Sequence, residues 1–244
     1  MPYRHLTAWT LILAPLVLVT SFTSLGFTFD YPTILREPVG EMLTRFRAGG
    51  PLLVAQWYGM VLASVLFVPA SLLLHGLIKE RPLAPLVTGF GVVAALVNAL
   101  GFVRWPFLVP VLAERYADPR TGEAARVSLE TTFEAFHIYA GVGVGEHLGF
   151  TFLALWLVTG GLALRGTLPS WLGWLWVVTG AGTFVGVFEP LGLSSAGLIN
   201  AGASFAGMLA VLLAGVFVLL RGDKMTSRVD TALDAAHSDT SRGA

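Results

Sequence analysis

The chain has 244 residues, 55% of them hydrophobic and 12% charged, with a mean hydropathy of +0.74, whereas a soluble domain carries roughly 25% charged residues. Fifteen basic residues balance fifteen acidic ones, which leaves no basic surface to recruit nucleic acid. The absence of cysteine excludes disulfides, iron–sulfur clusters and thiol nucleophiles.

Apolar runs of about 20 residues match the thickness of a bilayer core, so the expected fold is all-α: a polytopic transmembrane helix bundle of about six spans. Helix 1 is expected at about Leu6 to Phe29. Its run is too long for a signal-peptide core and lacks a small-x-small cleavage site before Asp30. Helix 2 follows at Leu52 to Leu77, helix 3 at Leu83 to Val109, helix 4 at Phe133 to Leu164, helix 5 at Trp171 to Phe188 and helix 6 at Ala196 to Leu220. These make one membrane domain, residues 1–220, and a polar tail, residues 221–244, expected to be disordered. Trp9, Trp57, Tyr58, Trp105, Trp171 and Trp174 fall near helix ends, where amphipathic rings favour the headgroup region. Trp176 is assigned to the same belt.

Loops 1/2 (Asp30 to Pro51) and 3/4 (Leu112 to Thr132) are long, whereas 2/3 and 4/5 are short hairpin turns, so six spans put both long loops on one face. Within the first, Glu41 to Arg47 carries Met42, Leu43 and Phe46 at a spacing that predicts a short interfacial helix. Lys and Arg number eight on the termini side and six on the other, so the positive-inside rule favours cytoplasmic termini in a bacterial plasma membrane.

An ionisable group inside hydrocarbon costs at least about 2.5 kcal/mol on insertion scales, so each one asks for a partner or a role. The candidates are Arg104 late in helix 3, Glu134, His137, Glu146 and His147 along helix 4, and Glu189 at the end of helix 5. Odd helices run toward the long-loop face and even ones away from it. Arg104 and Glu189 therefore end, and Glu134 and His137 begin, in the same half of the membrane, with Glu146 and His147 nearer the midplane. The expected arrangement is a polar pocket in one leaflet, with Arg104 paired to Glu146, Glu134 or Glu189. The pair either fixes helix packing or lines a cavity.

Glu134 and His137 share a face at i, i+3 and are two ligands of a metal site that needs more. On an α-helix the nine residues to Glu146 turn roughly 180°, so helix 4 alone does not complete it. His75 and His137 lie near opposite faces, which argues against a bis-His haem. Neither metal nor cofactor is therefore expected. Gly141, Gly145 and Gly149 form a small-xxx-small stripe for close helix approach, internal or in a homodimer. Helix 4 is accordingly expected to be surrounded by protein. Walker, dinucleotide, zincin and nucleophile-elbow motifs are absent.

Tyr31-Pro32 with Leu35, Arg104-Trp105-Pro106, Glu114-Arg115-Tyr116, and His137-x-Tyr139 leading into Gly145-Glu146-His147-Leu148-Gly149 carry a resemblance. Over about Leu6 to Leu220 the chain resembles the bacterial membrane-protein family known as domain of unknown function 4386. The resemblance implies a multi-span membrane protein of this length and supplies no reaction, ligand or catalytic residue. Three functions remain open: binding or translocation of a small molecule or ion through the polar pocket, a membrane-embedded enzyme using Glu/His acid-base or metal chemistry, and a structural or regulatory membrane partner.

Overall fold

In a computed structural model of the chain, which describes residues 2–242 and the side chains of residues 3–221, six helices are long and apolar enough to cross a membrane. The protein is an all-α, polytopic transmembrane bundle. The elements are α1 (Pro2–Phe29), a 3-10 turn (Thr33–Arg36), α2 (Val39–Ile78), α3 (Ala84–Phe107), α4 (Val109–Ala117), α5 (Glu123–Phe136), a π-helix (His137–Leu148), α6 (Gly149–Leu164), α7 (Ser170–Val185), a second 3-10 turn (Gly186–Leu191) and α8 (Ala196–Arg242). The tail expected to be disordered, beyond Arg221, lies outside the residues whose side chains are described.

The spans close into a ring. α1 packs on α2 and α8, α2 on α3, α3 on α6 and the π-helix, α6 on α7, and α7 on α8. Lipid is as apolar as leucine, so the ring depends on close packing rather than on hydrophobic exclusion from water. Glycines supply the closeness. A Cβ on Gly161 would stand 2.5 Å from the Gly173 carbonyl oxygen, and one on Gly145 would stand 2.9 Å from Gly101 Cα.

Helix 4 thus forms part of the ring wall rather than its centre, and Ile138 and Tyr139 face outward. The expectation that protein surrounds it is corrected. Its path also starts earlier than Phe133, because α5 runs straight into the π-helix.

The two long loops are largely helical. In α2 the backbone breaks at Gly50 (φ 58°, ψ −153°), a conformation that any side chain would strain. Pro51 then opens the spanning part, as suits a residue without an N–H. The arm before the break, which contains the interfacial helix expected at Glu41 to Arg47, buries Met42, Leu43 and Phe46. With α4 and α5 it forms a cap. The Tyr116 hydroxyl donates to Glu130 Oε1 at 2.8 Å, close against Gly40, where a Cβ would collide with both groups.

Two cores result. One fills the short-loop half of the ring with Leu11, Phe67, Leu74, Val87, Trp156, Leu157, Trp176 and Val211. The other lies under the cap and is aromatic: Phe29, Phe46, Trp57, Trp105 and Phe133. Trp57 and Trp105 stack at 4.3 Å and 6° and are essentially inaccessible. They are core residues, not headgroup anchors, and so is Trp176, which packs on Gly160 and Trp156. Trp9, Trp171, Trp174 and Tyr58 are half-exposed.

Gly145→Ala places its methyl against backbone that has no room to move, an overpacking worth about 1–3 kcal/mol. A melt in detergent is expected to fall by several degrees, while Gly89→Ala, whose Cβ meets nothing within 4 Å, leaves it unchanged. Equal shifts in the two variants would contradict the glycine contact.

Candidate functional site

The residues that head the site come from three elements. Arg104 lies in the last turn of α3, His137 opens the π-helix and Glu146 stands nine residues further along it. Arg104 is 8% exposed, the lowest exposure of any charged side chain described. Its Nη1 donates to the Gly101 carbonyl, its Nη2 lies 3.4 Å from His137 Nδ1, and its Nε has no hydrogen-bond partner. The guanidinium rests on Gly141, where a Cβ would strike it, and its carbon sits 5.3 Å from the Trp105 ring centre.

The aromatic core holds this arrangement in place. Phe133 stacks on the His137 ring at 5.6 Å and 11°, and edge-on against Trp105 at 5.9 Å. Trp105 in turn stacks on Trp57. Rings of this kind are stiff and well packed, so neither Arg104 nor His137 is free to swing toward water.

The expected ion pair is not formed directly. Among the described residues, no carboxylate lies within 4.0 Å of Arg104. Glu146 is nonetheless close enough for its charge and that of Arg104 to act on each other, and Glu189 is close enough to act on Glu146. Tyr31, between α1 and the first 3-10 turn, feels both Glu146 and Arg104. Burial first, and then the Glu146 carboxylate, push its hydroxyl up from the usual phenol range, while Arg104 pulls it back.

The π-helix explains why His137 and Glu146 address one place. With i to i+5 bonding it carries about 4.4 residues per turn, so nine residues complete close to two turns, where an α-helix would set them on opposite sides. The stripe of Gly141, Gly145 and Gly149 faces α3 throughout, against Arg104, Gly101 and Asn98 respectively. Packing is its observed role. Extended π-helix is rare, and glycines at 141, 143 and 145 relieve the crowding of side chains that it otherwise brings.

Other candidates stand apart. Glu134 is exposed on α5, and among the described residues its side chain makes no hydrogen bond or ion pair. It does not join His137, whose ring is matched by Phe133 instead. His147 is half-buried, and only its carbonyl is engaged, by the Thr151 hydroxyl at 2.8 Å. Glu189 lies in the second 3-10 turn against Gly197 at the start of α8. Among the described residues no three His, Asp or Glu side chains are grouped so as to hold a metal ion. Asn200, buried, donates to the Thr183 carbonyl at 2.7 Å and serves the α7–α8 contact.

Sequence reasoning missed Tyr31, Gly101, Trp57, Trp105 and Phe133 as members or supports of the site. A tryptophan directly after a membrane arginine is a usable signal, because the indole offers the cation a face. Tyr31 gives a direct check. In an alkaline absorbance titration of the purified protein, one of the five tyrosines is expected to ionise well above the usual pH of about 10. Tyr31→Phe should remove that step. A full set of ordinary steps in the wild type would mean that Arg104 outweighs burial at this position.

No curated protein and no solved structure matches this chain. A family model matches residues 6–222, nearly the whole membrane region. The chain belongs to the family described as Domain of unknown function (DUF4386).

Proposed function

We propose that the protein binds a small polar molecule or ion at Arg104, His137 and Glu146, in the membrane half beneath the cap. The observation that carries this reading is Arg104: a buried guanidinium whose Nε has no acceptor and which touches no carboxylate. Leaving a buried donor unmade costs about 1–3 kcal/mol, more when it is charged, and an apolar residue of similar size would avoid that cost. A ligand that supplies the acceptor would account for its presence. Glu146 and His137 add a carboxylate and an imidazole to the same place, so the site has both an anion-binding and a cation-binding end.

The packed apolar core in the other half of the ring favours binding over an open channel. Translocation would require that core, with Trp156 and Trp176 at its middle, to part. The family match carries no ligand, and the comparisons add no relative of known activity.

The same reading puts the protein in a plasma membrane with its termini in the cytoplasm. Its support is the eight-to-six distribution of Lys and Arg. The cap and the site then face outward. Lipid is the immediate partner; a second copy of the chain remains compatible with the exposed helix faces.

The test uses the detergent-purified protein, melted with inorganic phosphate, acetate, glycine and O-phosphoethanolamine. A ligand at 100 times its Kd stabilises by about 2.7 kcal/mol, which a melt resolves. At least one probe is expected to raise the melting temperature. Arg104→Ala and Glu146→Gln should abolish that rise while both variants still insert in the membrane. A rise retained in both would overturn the assignment.

A further inference from the structure

The α1–α8 contact is closed at one end and open at the other. In the short-loop half, Gly215 of α8 lies against α1, where its Cβ would stand 2.8 Å from the Ala8 carbonyl oxygen, and Ala8 is fully buried. Eighteen residues make about five whole α-helical turns. Gly26 therefore lies directly above Ala8 on α1, and Gly197 directly above Gly215 on α8. There no atom of α8 lies within 4 Å of a Cβ on Gly26, and none of α1 is among the nearest to a Cβ on Gly197.

Gly26 is exposed, and its Cβ would meet only the Tyr31 carbonyl oxygen at 3.6 Å; the three atoms nearest a Cβ on Gly197 all belong to Glu189. Ala201 and Phe205, on the same side of α8, are exposed as well. Pro15, between the two levels of α1, removes one backbone hydrogen bond where the helices part.

The ring is thus parted on its lipid side in the half that holds the polar cluster. Glu189 borders the α8 wall of the cleft, and Tyr31, packed edge-on against Phe22 at 5.2 Å, borders the α1 wall. Arg104 lies three residues before the end of α3, about 4.5 Å along the axis. The cluster therefore lies toward the long-loop end of the spans, on the side of one leaflet's headgroups. The cluster holds a cation and carboxylates that act on each other without touching, so a zwitterion of the opposite order would bridge them, with phosphate on Arg104 and a primary amine on Glu146 or Glu189.

We infer that the ligand is an aminophospholipid, entering sideways from the bilayer between α1 and α8, with its head at the polar cluster and its acyl chains outside the ring. This rests on the binding reading above and adds the ligand class and the route.

The experiment is native mass spectrometry of the full chain, with dioleoyl phosphatidylethanolamine, dioleoyl phosphatidylcholine and free O-phosphoethanolamine as probes. The variants are Ala201→Trp and Gly26→Leu, which fill the cleft away from the charges, and Arg104→Ala. Wild type is expected to retain the ethanolamine lipid about tenfold over the choline lipid, whose quaternary ammonium has no N–H to donate. Either cleft variant should cut that retention about tenfold and spare the free head. Arg104→Ala should lose both. Equal retention of the two lipids, or full retention in both cleft variants, overturns the inference. If the free head binds through Arg104 and the lipid does not, the binding reading stands and the lipid assignment falls. If no probe depends on Arg104, both fall.

Discussion

One charge governs the long-loop half of this protein. Arg104 buries a guanidinium with no carboxylate in contact and no acceptor for its Nε, and the surrounding residues are arranged around that cost. Gly141 gives it a seat, Gly101 and His137 take two of its nitrogens, and Trp105 offers a ring face. None of these neutralises it. Glu146, on the π-helix that packs against α3, makes no ion pair with Arg104.

The backbone follows from the same constraint. An unbroken α-helix through residues 137–148 would turn Glu146 away from the side that His137 occupies. The π-helix keeps both toward α3, and the glycine-on-glycine approach of Gly145 and Gly101 holds α3 beside it. The aromatic core under the cap then fixes the angle of His137 through Phe133. The rest of the ring shares the close glycine contacts, as at Gly161 and Gly173, but among the described residues its helices are α-helical and its filling is apolar. Both halves carry a packed core, and the buried charge lies beside the aromatic one.

Much of this was legible in the sequence, because membrane thickness translates directly into apolar run length. All six spans stand within several residues of their expected places, apart from the early start of helix 4. What the sequence hid depends on local geometry. Periodicity assumed 3.6 residues per turn, so it separated His137 from Glu146, and nothing in the Gly-Val-Gly-Val-Gly run announces a wider turn. It also assigned Trp57 and Trp105 to the headgroup belt from their positions near helix ends. That rule holds for a helix whose end meets water, and it failed where a helical cap covers the end. The stripe of Gly141, Gly145 and Gly149 faces α3 at each position, because its spacing survives the change of helix type well enough to stay on one side.

The most direct measurement is a cryo-electron microscopy map of the protein in lipid nanodiscs, at a resolution that shows side chains around Arg104. The account predicts continuous π-helical backbone from His137 to Leu148, with the guanidinium seated on Gly141 and density for a ligand at its Nε. An α-helical segment there, with Arg104 turned out to the headgroups or paired directly to Glu146, would contradict it.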